Sequence, residues 1–239
     1  GDYIAVLEGD DYWTDKSKIF KQVNFLELNS LYIGCSHRYK VVDCNSLEIS
    51  PEYFGPGRPR SGDYTIDDFR NYIYFGLLGS ALFKNIFLNK KKEFEIIKTA
   101  HSFISDITLN LLLILNGSFF VMDYNMAAHR VIVKKNGTNF KSVINSKNQV
   151  EDRIKYLNKL EEFALISYKI NLLHVPRNEN LCIWSILYLL KYPNIHNWHA
   201  FIFSLNLIEN KWTLIKYSCR NIRKVPMFVY LQFKKYFAI

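Results

Sequence analysis

Two groups of residues in this 239-residue chain have the types and spacing for chemistry. The first is Glu8-Gly9-Asp10-Asp11-Tyr12-Trp13, which closes the apolar run of residues 3–7. A diphosphate leaving group needs a divalent cation, and hard cations take oxygen ligands. Carboxylates at the C-terminal edge of a buried strand stand where an α/β sheet opens onto its ligand crevice. The plainer alternative is a solvated acidic turn that caps the next helix. The second group is Ser105-Asp106, which opens an apolar segment ending at Gly117. A carboxylate is stabilised at a helix N-terminus, and Asp106 taken alone reads as a capping residue.

The elements that must hold these residues follow from periodicity. Residues 3–7 read as a short strand, apolar on both faces, that belongs inside a parallel sheet with neighbours on both sides. Thr14 or Asp15 can cap a helix over 15–29, whose buried stripe is Ile19, Val23 and Leu26. From 32 to 43 the period becomes two, with Ile33, Cys35, His37, Tyr39 and Val41 on one face of a strand. The Pro- and Gly-containing stretch 44–64 reads as a long loop. Thr65 caps a short helix carrying Asp67 and Asp68 in its first turn, 76–84 reads as a strand, and 87–100 as a helix. The helix opened by Asp106 is apolar almost all round and therefore buried. Residues 119–122 read as a strand, and 126–133 as another strand or an extended segment. After about residue 150 the texture is helical (151–170, 180–192 and 197–209), broken at Pro176 and Pro193.

Taken in register, residues 3–37 resemble the metal-binding segment of bacterial family-2 glycosyltransferases of the GT-A (nucleotide-diphospho-sugar transferase) fold. The apolar strand, the acidic cluster of Glu8, Asp10 and Asp11, the Tyr12-Trp13 and Asp15 turn, and the helix with Lys18, Gln22 and Phe25-Leu26-Glu27 follow in the family's order. Ser105-Asp106, Asn116-Gly117 and Met126 to Arg130 are similar to its second acidic motif. The resemblance implies an inverting enzyme that moves a sugar from a nucleotide-diphospho-sugar to a glycan or lipid-linked acceptor in bacterial surface polysaccharide synthesis. It implies Asp106 as general base, Asp11 as ligand of a Mn²⁺ or Mg²⁺ ion, and Asp10 on sugar or ribose hydroxyls. Glu8 stands where many relatives carry the first aspartate of the donor site, and Arg130 matches a basic residue beside the leaving diphosphate. It covers residues 1–140, read as the C-terminal portion of a GT-A catalytic domain; 141–239 reads as a helical, basic extension. The fold class expected is thus α/β, a partial GT-A sheet with flanking helices followed by that extension. The nucleotide-binding half is expected upstream of Gly1, so the chain as given is expected to be inactive alone. A non-catalytic binding module without a donor site is the alternative.

One departure concerns the metal site. Relatives often read Tyr-Arg-Val-His here, and that histidine can complete the site; this chain has His129-Arg130-Val131-Ile132. His129, three residues before Ile132, should point to the opposite strand face and is read as a structural histidine. His101 has no motif behind it. Tyr12, Trp13, Tyr53 and Phe54 could form an aromatic platform for the acceptor sugar, with core packing as the plainer role.

Charge and cysteine usage narrow the class. Of the net +9, seven positive charges lie in residues 211–239, which hold no acidic residue, leaving about +2 for the body. A basic tail on a near-neutral body speaks against a nucleic-acid partner. Interleaved with aromatic and aliphatic residues, the tail is expected to dock on an anionic membrane surface, with solvated packing against the body as the alternative. No apolar run approaches the roughly 18 residues of a membrane span. Cys35, Cys44, Cys182 and Cys219 form no CxxC pair and read as reduced thiols of a cytoplasmic protein, peripheral at the inner face of the membrane.

Overall fold

The computed structural model describes residues 1–49, 59–71, 73–88, 91–101, 106–131, 149–172, 177–191, 193–208 and 212. The fold is mixed α/β. By compactness it divides into two units, Gly1–Asn145 with Tyr156–His174, and Ser146–Lys155 with Val175–Ile239.

The first unit is built on a mixed six-stranded sheet. Its strands are β1 (Tyr3–Ala5), β2 (Tyr12–Trp13), β3 (Tyr32–Val42), β4 (Gly62–Tyr64), β5 (Leu82–Lys84) and β6 (Ser118–Arg130), in the order β1-β5-β3-β6-β2, with β4 also on β6. The parallel pair β3–β6 forms the spine, and β5 joins β3 antiparallel. Gly34 is required in this spine: a Cβ there would meet Phe119 Cε2 at 2.6 Å and Phe83 Cβ at 2.7 Å. β6 is one strand where the sequence suggests two pieces: it pairs with β3 on both sides of an irregularity at His37–Tyr39, where the extra residues lie on β6.

The strand at the acidic cluster departs from expectation. β1 is an edge strand whose one partner among the described residues is β5, and that pairing is antiparallel, Ile4 opposite Phe83. Its apolar composition asks for two neighbours, and among the described residues one is present.

Helix α1 (Lys18–Leu28) lies over β3 and β5. Its fully buried stripe is Lys18, Gln22 and Leu26, while Ile19 and Val23, expected as the buried face, are half-buried at its border. Helix α2 (Ile66–Arg70) starts at the expected Thr65 cap, where Thr65 and Asp68 form a capping box. The segment 76–84, expected as a strand throughout, opens instead with a 3-10 turn at Leu78–Ser80 and becomes a strand at Leu82. Helix α3 covers Lys91–Thr99 and α4 covers Asp106–Asn116. α4 is buried from Thr108 to Ile114, as its all-round apolar surface demands.

Three further helices follow: α5 (Gln149–Tyr168), α6 (Arg177–Lys191) and α7 (Ile195–Asn206). The part of α5 from Tyr156 onward belongs to the first unit and is bonded to α4 at both ends. Tyr156 and Thr108 share a hydrogen bond of 2.8 Å, and Asn116 donates to the Tyr168 hydroxyl at 3.0 Å. In the second unit α6 packs on α7, with Ser185 and Ser204 hydroxyls 2.7 Å apart in the seam. Among the described residues no helix is long and apolar enough to cross a membrane. The tail 213–239 lies outside the described residues, so its docking expectation is untouched by the fold.

Candidate functional site

The site is created by the shortest strand. β2 pairs antiparallel with β6, Tyr12 opposite Ala128 and Trp13 opposite Ala127, and Thr14 N–H donates to the Met126 carbonyl at 2.9 Å. Continued by one residue, that register sets Asp11 opposite His129. Residues directly opposite on antiparallel strands project from the same face.

The contact follows. His129 Nδ1 lies 3.0 Å from Asp11 Oδ1 and 3.2 Å from Oδ2, and the Arg130 backbone N–H donates to Oδ1 at 2.9 Å. The Asp11 side chain is fully buried, whereas His129 keeps about a third of its side chain exposed. Its hydrogen bond to Asp11 is the main reason the imidazole is held above its ordinary range; burial opposes, and the charges of Asp11, Glu8 and Asp10 add to the rise.

Glu8 completes the cluster. Ligand atoms of Glu8, Asp11 and His129 all lie within 4.8 Å of one another. The Glu8 carboxyl has an exposed edge, yet it is pushed up, first by desolvation against the crevice wall and then by Asp11; His129 opposes, and Asp10 and Asp106 raise it further. Asp106, the exposed first residue of α4, is therefore within electrostatic reach of Glu8 although nearly a hundred residues separate them. Its Oδ1 accepts only from the adjacent Ile107 N–H, at 2.9 Å, among its described contacts. Asp10 is exposed beside the cluster.

Arg130 braces the rim. Its Nε donates to the Asp10 carbonyl at 3.1 Å, its Nη1 to the Cys44 carbonyl at 2.9 Å, and its guanidinium stands 5.5 Å from the Tyr12 ring. Trp13 is built into the wall: its indole N–H donates to the Gly79 carbonyl at 2.8 Å, and the Lys18 ammonium lies 4.2 Å over its ring. Gly79 borders the cluster, since a Cβ there would stand 3.6 Å from Asp11 Oδ2. Tyr53, Phe54 and Ile132 lie outside the described residues, and the His101 ring packs edge-on to Tyr156.

The expectation that His129 points away from the acidic cluster is corrected by this geometry. Ile132 lies outside the described residues, but the Asp11 carboxylate sits on the face of β6 that His129 occupies. Gly79 was missed altogether, because the turn that carries it lay inside an expected strand.

Two carboxylates and an imidazole suit a divalent cation. Two ligands bound at about 2.0–2.2 Å can stand up to about 4.4 Å apart, so the 4.8 Å limit here needs only a small side-chain adjustment. The imidazole in the set favours Mn²⁺ or another first-row ion over Mg²⁺, which prefers oxygen alone. Metal binding would displace the proton that Asp11 now favours on His129.

No protein-family model matches the chain. It is similar to proteins described only as uncharacterized, from Mycobacterium bovis and from two strains of Mycobacterium tuberculosis. Each is 45% identical over 42 residues, which is 18% of this chain and 12% of the relative's length.

Proposed function

We propose that this crevice is the transfer site of a metal-dependent, inverting glycosyltransferase of the bacterial family-2, GT-A type. The reaction moves a sugar from a nucleotide-diphospho-sugar to a glycan or lipid-linked acceptor in surface polysaccharide synthesis. One observation carries the reading: ligand atoms of Glu8, Asp11 and His129 gather within 4.8 Å of one another.

Glu8, Asp11 and His129 would hold a Mn²⁺ or Mg²⁺ ion, which supplies Lewis-acid neutralisation of the departing diphosphate. Asp11 is pre-aimed for this by the Arg130 backbone N–H, so little reorganisation is needed. Asp106 is open to solvent at a helix N-terminus, where a carboxylate can take the proton of an incoming acceptor hydroxyl. As that oxygen bonds the anomeric carbon, the bond to the diphosphate breaks on the opposite side, which inverts the centre. Asp10, exposed beside the cluster, is placed to meet donor hydroxyls, and Arg130 ties its backbone to the rim. Tyr12 and Trp13 contribute the adjoining aromatic wall. The enzyme would work in the cytoplasm, at the inner membrane face where lipid-linked acceptors reside.

Calorimetric titration of the 239-residue chain with Mn²⁺ and UDP tests the site. Saturable UDP binding that requires the metal and disappears in Asp11→Asn supports the reading. UDP binding indifferent to metal, or to Asp11→Asn, would overturn it. Metal-dependent binding without sugar transfer by the protein extended upstream would leave a binding module instead.

A further inference from the structure

Trp13 joins the crevice to a second polar cluster, in the seam where α1 packs on β3. Lys18 and Gln22 stand four residues apart on α1 and share a face. Cys35 and His37 stand two apart on β3 and do the same. Lys18, Gln22 and His37 are all completely buried, an unusual fate for a lysine.

Most of the seam's hydrogen-bonding capacity is used. The Gln22 side-chain amide donates to the Cys35 carbonyl at 3.1 Å and the Ser80 carbonyl at 2.9 Å. His37 Nδ1 lies 2.8 Å from the Arg38 carbonyl oxygen. A carbonyl can only accept, so Nδ1 carries the proton and Nε2 presents a lone pair. Three atoms are left without a protein partner: Lys18 Nζ, Gln22 Oε1 and His37 Nε2. One is a cationic donor and two are acceptors. Buried polar groups are almost always satisfied, and a buried water typically makes about three hydrogen bonds. One water accepting from the ammonium and donating to both acceptors closes the count.

We propose that the α1–β3 seam binds a single buried water, held by Lys18 Nζ, Gln22 Oε1 and His37 Nε2, and that the ammonium anchored this way positions the Trp13 wall of the crevice. The link to the crevice is continuous. The ammonium lies over the Trp13 ring, the indole N–H holds the Gly79 carbonyl, and Gly79 borders Asp11. An anion fits poorly, because two of the three groups are acceptors, and a metal cation is repelled by the ammonium. Burial lowers Lys18 to about 8 and His37 to about 4, so at neutral pH the amine is charged and the imidazole neutral, as the network requires. The site rests on packing alone and stands whether or not the crevice transfers sugar.

A high-resolution crystal structure of the 239-residue chain is the direct test. A density peak within hydrogen-bonding distance of all three atoms is expected; a direct Lys18–His37 or Lys18–Gln22 bond with no peak would overturn the water. In solution the native chain should show His37 as the Nδ1–H tautomer, with a long-lived water giving cross-relaxation to seam protons. The opposite tautomer would remove an acceptor and sink the count. In Lys18→Met the Trp13 indole N–H should exchange about tenfold faster with solvent or more, because its ring loses the cation. Unchanged protection in a folded Lys18→Met chain would refute the positioning role. Should that variant not fold, Lys18→Gln, which also removes the cation from the Trp13 ring but stays polar in the seam, gives the same readout.

Discussion

The crevice and the seam behind Trp13 are two polar clusters on one sheet, each centred on a histidine, and they are built on opposite principles. In the crevice, His129 is part-exposed, meets a buried carboxylate, and is held above its ordinary range. In the seam, His37 is cut off from bulk solvent, and burial drives it down to about 4 against the opposing pull of the Arg38 carbonyl and Asp15. Two histidines with one intrinsic chemistry are thus shifted in opposite directions, one raised chiefly by its bond to Asp11 and the other lowered chiefly by burial. The carboxylate-lined cluster is left part-open, and the ammonium-lined one is sealed.

The comparison breaks most visibly at Asp106. If the crevice is catalytic, Asp106→Asn in a protein extended upstream should lower transfer by about 10²–10⁴-fold while metal and UDP binding persist. Asn can still bond the Ile107 N–H, so thermal denaturation should be unchanged; lost donor affinity would mean that Asp106 has another role.

Asp11→Asn comes next. Its buried carboxylate accepts from Arg130 N–H and contacts His129, so the substitution should weaken Mn²⁺ about 10–100-fold by calorimetry. It should also cost about 1–3 kcal/mol of stability in urea titration. A variant that binds Mn²⁺ normally would place the ion elsewhere.

The histidines themselves give the third comparison, by pH. For His37 the folded value of about 4 lies below the ordinary 6.5, so between those values the unfolded chain binds the extra proton. Stability should therefore fall as pH drops from 6.5 toward 4, by up to about 1.4 kcal/mol per pH unit. His37→Gln should flatten that slope. His129 runs the other way: its folded value is raised, so its contribution is complete below 6.5 and fades as pH climbs through that raised value. Proton NMR of the metal-free chain should find His129 titrating above 6.5 and His37 still neutral at pH 5.5; titration in the same range would erase the distinction.

The smallest effect concerns thiols. Burial pushes Cys35, beside the seam, up to about 12, while Cys44 on the rim is exposed. Iodoacetamide on the native chain should label Cys44 well ahead of Cys35, read by peptide mass; equal labelling would mean that the seam opens.

Much of the framework was legible from residue order alone. The switch from period 3.6 to period two marked α1 and β3, Thr65 marked the start of α2, and the nearly unbroken apolar surface of α4 required its burial. The acidic cluster and Asp106 stood out because carboxylates at element ends are conspicuous against apolar runs. Three decisions belonged to the tertiary structure. The two-residue strand β2 carries no periodicity of its own, so only its pairing with β6 could bring His129 to Asp11. The segment before Leu82 looks extended in composition, yet Trp13 and Gln22 hold its carbonyls in a turn that lines the cluster. Hydrophobicity placed Ile19 and Val23 inside α1, but Lys18 and Gln22 took the interior. Trp13, Cys35 and Ser80 offer them a ring face and two carbonyls that an aliphatic side chain could not use. Local pattern fixes which segments are helix or strand; which side chains meet depends on contacts between residues far apart in the chain, and no window along the sequence contains both partners.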